Sequence, residues 1–265
     1  MIAFAILFAL GIIVWFRSNP GEPVYHGKSL RDWTEQFGTN WTGNSAPTGE
    51  ARAAIKAMGP KTVPFLLDWL RMRESALKKK LPARFVRQWP FLKRFQDNSG
   101  NLRRNGAHGI AALGADTPPE VLPQLIEIAR NHPDEDGQYI AGFALRTLGP
   151  AGQRAIPFFI ERLTNSQNIV RDDAAIALGG VEGDPAVVVP PLVRYLEFAT
   201  NSPSSFEAVD TIWALRHYGT NASAAGPLLL SLLHHPREEI RVSVTNCLPD
   251  IDPERAKKAG LRGTR

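Results

Sequence analysis

The fold is decided by one stretch of the sequence, VRDDAAIALGGVEGDPAVVVPPLVRYLEF, which covers residues 170–198. Its first half has small and apolar residues at helical spacing, followed by Gly179 and Gly180, which predict the end of a short helix. Its second half carries Pro190 and Pro191, which are tolerated at the start of a helix, before a new apolar stripe. The stretch therefore predicts a helical hairpin, and neither of its helices can bury its apolar face alone.

The same pattern recurs along the chain: a small-residue helix ends at a glycine, a short turn follows, and a proline opens a second helix. The glycines that end the first helices are predicted to be Gly59, Gly114, Gly149, Gly179 and Gly219. A sixth, degenerate copy has Pro249 where a glycine is expected. Periods of about 30–45 residues built from helix pairs predict an all-α solenoid, a right-handed superhelix of five or six hairpins.

The phrase VRDDAAIALG resembles the short HEAT-like repeats that also occur in phycobilisome (bilin) lyases. The residues that carry the resemblance are Arg171, Ala174, Ala175, Ala177, Leu178 and Gly179, and Arg241 repeats the arginine position. The resemblance covers residues 50–260 and implies an armadillo-like helical array. Such repeats serve as scaffolds far more often than as enzymes. Because the resemblance is limited to the repeat pattern, the lyase activity does not carry over.

The N-terminus begins with an uninterrupted apolar run, MIAFAILFALGIIVWF, which covers residues 1–16 and ends before Arg17. Its length is close to the minimum of about 17 residues that can span a bilayer, so we expect residues 1–17 to be a single membrane anchor or an uncleaved signal. A cleaved signal peptide fits less well, because no basic residue precedes the run and Trp15–Phe16 is a poor cleavage context. A buried core helix is the remaining alternative. Basic residues after the run favour a cytoplasmic body, but a basic start upstream would reverse that count, so the side is left open.

Residues 18–49 predict an extended linker followed by a short helix that covers the open end of the first repeat. One face of that helix is apolar and carries Leu30, Trp33 and Phe37. The alternative is an aromatic docking patch formed by Tyr25, Trp33 and Trp41.

The first gap between repeats is 55 residues long, which indicates an insertion at residues 71–104. From Leu70 to Arg104 there are eleven basic and two acidic side chains, so the rest of the chain is acidic although the whole chain carries a net charge of +5. This segment is either a solvated helix extension, a contact surface for anionic lipid or protein, or a nucleic-acid site, which is the least expected of the three. Its candidate binding residues are Lys78, Lys79, Lys80, Arg84, Arg87, Trp89, Lys93 and Arg94.

The sequence offers little catalytic chemistry. The six histidines lack the spacing of metal ligands, and the lone cysteine, Cys247, lies among apolar residues and predicts a small core side chain. The acidic residues 134–136 are predicted to lie in a loop between repeats, where they lack the ligand series of a calcium site. Asp172 and Asp173 are predicted to lie in a first helical turn, where they complement the helix dipole. We therefore expect no cofactor and no metal.

The sequence as a whole predicts a membrane-anchored, non-enzymatic scaffold that binds an unidentified protein partner. Arg146, Arg171 and Arg216 are candidates to line one face of the solenoid, although they could equally form hydrogen bonds between repeats. The alternatives are a binder of anionic lipid or nucleic acid through the basic insertion, and a lyase-type enzyme. Residues 261–265 form a short basic tail.

Overall fold

The computed structural model describes residues 21–37, 49–74 and 98–261. Within these residues the chain forms one short strand pair and a series of helices. The elements are β1 (Val24–Tyr25), β2 (Lys28–Ser29), α1 (Leu30–Thr34), α2 (Gly49–Met58), α3 (Val63–Leu70), α4 (Ser99–Leu113), α5 (Val121–Asn131), α6 (Glu135–Arg146), α7 (Ile156–Arg162), α8 (Asn168–Gly180), α9 (Pro185–Ala199), α10 (Phe206–Arg216), α11 (Gly226–Leu232), α12 (Glu238–Ile251) and α13 (Pro253–Lys258).

Part of the predicted linker is a β-hairpin. Val24 pairs with Ser29 and Tyr25 with Lys28 in an antiparallel ladder. The two residues between the strands, His26 and Gly27, have positive φ values of 48° and 75°, as a tight hairpin turn of the primed type requires. The predicted linker therefore includes a paired strand at residues 24–25.

Helix α1 begins with a complete capping box. The Ser29 side chain accepts a hydrogen bond from the backbone N–H of Asp32, and the Asp32 side chain accepts one from the backbone N–H of Ser29. Its apolar residues Leu30 and Trp33, together with Phe37 just beyond it, are buried, and α1 packs against α2 and α4. Helix α1 therefore packs against the first helices of the first two hairpins.

The remaining helices form six hairpins within the described residues. The even-numbered helices α2 to α12 are the first helices of these hairpins, and the odd-numbered helices α3 to α13 are the second helices. Four of the glycines that were expected to end first helices have positive φ values, between 52° and 63°, and each is followed by a 3₁₀ segment. They are Gly59, Gly114, Gly149 and Gly219. Their helix-ending role is confirmed.

The fourth hairpin differs from its prediction. Helix α8 continues through Gly179 and Gly180, and the left-handed residue in its turn is Glu182, with φ at 48°. The side chain of Asp184 accepts a hydrogen bond from the backbone of Ala186 and starts α9 at residue 185. The prolines at 190 and 191 therefore lie inside α9 rather than at its start, and Pro249 likewise lies inside α12.

Consecutive first helices pack directly against one another, whereas consecutive second helices make few contacts. The close packing depends on small residues. At Gly179, an added Cβ atom would lie 2.7 Å from the Cα atom of Ala214 on α10. Because first helices are closer together than second helices, the row of first helices lies on the inner side of the array, and we call its exposed side the inner face.

The glycine pair of α8 offers a matched test of this packing. Replacing Gly179 by alanine forces α8 and α10 apart, so the free energy of unfolding should fall by about 1–3 kcal/mol. At Gly180 an added Cβ atom would have no other atom within 4 Å. Replacing Gly180 by alanine should therefore raise the free energy of unfolding by up to about 1 kcal/mol, because alanine is the better helix former. Urea unfolding followed by circular dichroism measures both values. Equal changes in the free energy of unfolding for the two substitutions would contradict the close packing of α8 against α10 at Gly179.

Candidate interaction surface on the inner helix row

The side chain of Arg171 connects two neighbouring repeats. Its Nη1 group donates hydrogen bonds to the carbonyl oxygens of Asn165 and Ser166, at 2.8 and 3.0 Å, in the loop before α8. Its Nε and Nη2 groups donate to the carboxylate of Glu207 on α10, at 3.0 and 2.7 Å. One side chain therefore fixes both the entry of its own helix and the position of the next first helix.

Glu207 is buried at the centre of a polar network. It also accepts hydrogen bonds from the hydroxyl groups of Tyr195 and Ser202. Burial favours the protonated form of Glu207, but the hydrogen bonds from Ser202, Tyr195 and Arg171 outweigh it and hold its pKa below the ordinary value. The network is therefore ionised and satisfied at neutral pH.

The arginine that recurs in the repeat phrase makes the same loop contact elsewhere. Arg241 donates to the carbonyl oxygens of His235 and Pro236, at 2.7 and 2.8 Å. Arg103 donates to the carbonyl oxygen of Met72 at 2.8 Å. In α4, α8 and α12 this arginine therefore connects the first helix to the chain segment that precedes it.

Arg103 corrects two expectations from the sequence. It is fully buried on α4, which begins at Ser99, so residues 98–104 belong to the second repeat rather than to the basic insertion. It forms ion pairs with Glu74, Asp134 and Asp136. The acidic residues 134–136 therefore lie at the start of α6, and Arg103 neutralises much of their charge.

A comparison of Arg171 with Arg241 separates the loop contact from the carboxylate contact. Replacing Arg171 by methionine leaves the buried carboxylate of Glu207 without its cation, so unfolding should become easier by about 3 kcal/mol. The same replacement at Arg241 removes only carbonyl contacts and should cost about 1 kcal/mol. Chemical denaturation measures the difference. Similar losses of unfolding free energy at both positions would show that the ion pair between Arg171 and Glu207 contributes little to stability.

Two further arginines follow an aromatic residue on the inner row. In α6 the sequence FALR places Arg146 4.7 Å from the ring centre of Phe143, and in α10 the sequence WALR places Arg216 5.0 Å from that of Trp213. Each arginine also approaches a carboxylate of the next first helix: Arg146 Nε lies 3.6 Å from Asp173, and Arg216 Nε lies 2.6 Å from Asp250. Both expected roles of these arginines therefore coexist.

The predicted arginines differ in how accessible they are. The side chain of Arg171 is 12% exposed, and Arg146 and Arg216 are 24% and 33% exposed. Arg171 is largely occupied by its structural contacts, while the other two remain partly accessible. The eight predicted binding residues between Lys78 and Arg94 lie outside the described residues.

Three aspartates form a cluster between α6, α8 and α10. Helix α8 begins at Asn168, so Asp172 and Asp173 lie in its second turn, and the expectation that they complement the helix dipole is wrong. Asp173 is buried beside Arg146, and the carboxyl groups of Asp172 and Asp210 lie close enough to interact electrostatically. Composition and spacing gave no sign of this cluster, because it forms only when α8 and α10 are adjacent.

The aspartates of this cluster bind protons unusually tightly. Burial, together with the nearby carboxyl of Asp210, raises the pKa of Asp172 to about 7. Burial raises the pKa of Asp173 to about 6, even though the positive charges of Arg146 and Arg162 act in the opposite direction. Strongly shifted carboxyl groups are concentrated at functional sites, so the cluster marks this part of the inner face as a candidate site.

The raised pKa of Asp172 predicts a pH-dependent stability. Its stabilising contribution is fully present below about pH 4, where the unfolded chain is also protonated, and is lost as the pH rises through about 7. Replacing Asp172 by asparagine should therefore stabilise the protein more at pH 8 than at pH 5, by a difference on the order of 2 kcal/mol.

Denaturant titrations of the parent and the variant at the two pH values measure this difference. Replacing the exposed Asp116 by asparagine is the control and should leave the difference near zero. An equal effect of the Asp172 substitution at both pH values would contradict the assigned titration.

Two open cavities border the repeats. One has a volume of about 450 Å³, lies between α10 and α12, and is lined by Phe206, Val209 and Val242 with Glu238 and Glu239. The other, of about 410 Å³, lies between α7 and α9. Its lining includes Leu163, Pro191, Phe198, Arg171 and Arg194.

The described residues provide no metal site and no reactive thiol. No group of three or more His, Cys, Asp or Glu residues among them could hold a metal ion. Cys247 is buried, as expected, and burial raises the pKa of its thiol to about 11. In the part of the chain that the structure covers, no helix is long and apolar enough to span a bilayer, and the predicted anchor at residues 1–17 lies outside that part.

Comparison with known proteins agrees with this architecture. Residues 122–204, from within α5 to beyond α9, match the family model for HEAT repeats. Apart from its short strand pair, the described chain is a helical repeat fold that resembles HEAT solenoids. No curated protein matches the chain.

Comparison with solved structures also matches two engineered proteins over most of the chain. An engineered protein solved by a structural genomics consortium is 18% identical, with a TM-score of 0.44, and the alignment covers 84% of this chain and 96% of that chain. A designed armadillo repeat protein is 16% identical, with a TM-score of 0.42, and the alignment covers 84% of this chain and all of the other.

Proposed function

We propose that this chain is a non-enzymatic scaffold that binds a protein partner along its inner face. The observation that carries the proposal is the exposed aromatic–arginine pair on α10: Trp213 is 38% exposed beside a partly accessible Arg216. Tryptophan and arginine are the residue types that contribute most often to binding energy at protein interfaces. A rigid array of packed helices presents them with little loss of conformational entropy on binding.

The part of the array that carries the inner face has an excess of acidic side chains. Residues 98–261 contain 14 basic and 19 acidic side chains. The carboxyl groups of Asp172 and Asp210 are held together on this face at an electrostatic cost, which a partner can relieve. The proposal includes no catalytic step and no cofactor. It also includes attachment to a membrane through residues 1–16.

Co-purification with the tagged, full-length chain from detergent-solubilised membranes tests the proposal. Replacing Trp213 by alanine should reduce recovery of one specific protein at least about tenfold. Leu230 is the matched control, because it is 37% exposed but lies on the second helix α11; its replacement by alanine should change nothing. A variant with Lys78, Lys79 and Lys80 replaced by alanine should also retain the partner, at low and at moderate salt.

Two outcomes would contradict the proposal. Recovery only of lipid or nucleic acid, lost with the three lysines or with added salt, would favour a binder of polyanions. Equal loss of the partner in the Trp213 and Leu230 variants would place the interface elsewhere. For the anchor, the intact chain should sediment with membranes while a chain of residues 18–265 should not.

A further inference from the structure

The cavity between α10 and α12 is the most exposed apolar feature on the inner face. Its volume is about 450 Å³, and its apolar walls are Phe206, Val209 and Val242. Phe206 is 72% exposed and Val242 is 50% exposed. An aromatic side chain that packs against so little of its own chain is available to a partner.

Acidic side chains without counterions border this cavity. Glu238 and Glu239 lie at its edge, in the first turn of α12, and form no ion pair with any described residue. The two nearest arginines in the sequence, Arg237 and Arg241, are not paired with them, and Arg241 is directed to the carbonyl oxygens of the preceding loop. The edge of the cavity is therefore negatively charged.

A second acidic feature lies one helix away on the same face. The carboxyl groups of Asp172 on α8 and Asp210 on α10 interact electrostatically, and Asp210 follows Val209 of the cavity wall directly in the sequence. The charged groups that face this pair are Arg146 on α6, Asp173 on α8 and Glu207 on α10. The axes of packed helices are about 8–10 Å apart. About three residues of an extended partner chain would therefore span the distance from the two aspartates to the cavity.

We propose that this cavity binds one apolar side chain of an extended partner segment whose flanking lysine or arginine side chains pair with Glu238, Glu239 and the Asp172–Asp210 pair. The inference rests on the proposed function and names the chemistry of the partner. An acidic segment and a nucleic-acid backbone are both repelled by these carboxylates.

The test uses the full-length chain in detergent and a fluorescein-labelled peptide, Gly-Ser-Lys-Lys-Leu-Ser-Gly-Lys-Ser-Gly, followed by fluorescence anisotropy. Replacing Glu238 and Glu239 together by glutamine should raise the Kd about tenfold, and Val242→Ser should raise it about fivefold. Raising the salt from about 50 to about 300 mM NaCl should weaken binding to the parent chain. Melting curves verify that each variant is folded.

The controls distinguish binding through charge and apolar contact at the cavity from nonspecific binding of the peptide. Glu197→Gln, at an exposed glutamate on the second helix α9, should leave the Kd unchanged. A peptide with glutamate in place of lysine should not bind, and one with serine in place of leucine should lose as much affinity as the Val242 variant does.

Several results would overturn the inference. They are an unchanged Kd in the Glu238/Glu239 variant, binding of the glutamate peptide, and self-association of the chain that Val242→Ser removes. Tighter peptide binding by the Lys78/Lys79/Lys80→Ala variant would mean that the chain's own basic residues compete for the cavity. If the co-purified partner depends on Trp213 but not on Glu238 and Glu239, the proposed function stands and only this inference fails.

Discussion

The structure depends on how closely its first helices approach one another. That distance is set by residues with little or no side chain, such as Gly179 against Ala214. At Gly142 on α6, an added Cβ atom would lie 2.5 Å from the carboxylate of Asp173 on α8. The same glycine therefore permits the helix packing and makes room for a buried aspartate beside Arg146. Packing and electrostatics on the inner row are thus consequences of one constraint.

Arginines stabilise the interfaces that this packing creates. The arginine of the repeated phrase fastens a first helix to its preceding loop, and in Arg171 it also holds the carboxylate of the next repeat. A guanidinium group can do both because its donors point in several directions within one plane. Arg146 and Arg216 reach the next repeat from the other end of their helices. Each repeat is therefore fixed to its neighbours by polar contacts as well as by the apolar core.

The inner face carries acidic groups that form no ion pair with its arginines in the described part of the chain. Asp172 and Asp210 share a site where two ionised carboxylates would repel each other, so their pKa values are raised, and Glu238 and Glu239 form no ion pair with any described residue. Next to them, apolar side chains remain exposed on α10 and α12. Acidic groups beside an open apolar cavity are complementary to a basic and apolar partner, which is why the proposals concern this part of the array.

The sequence by itself determined the repeat architecture and four of the five expected helix-ending glycines, because these follow from local periodicity and from backbone geometry that favours glycine. It also indicated the recurring arginine. Local patterns failed in the fourth hairpin, where the capping side chain of Asp184 starts α9 before the two prolines that were expected to open it. Only the tertiary structure brought Asp172 to Asp210, buried Arg103 among three carboxylates and opened the cavity beside Phe206. These features join residues from neighbouring repeats, whose separation in space depends on how the helices pack rather than on their spacing along the chain.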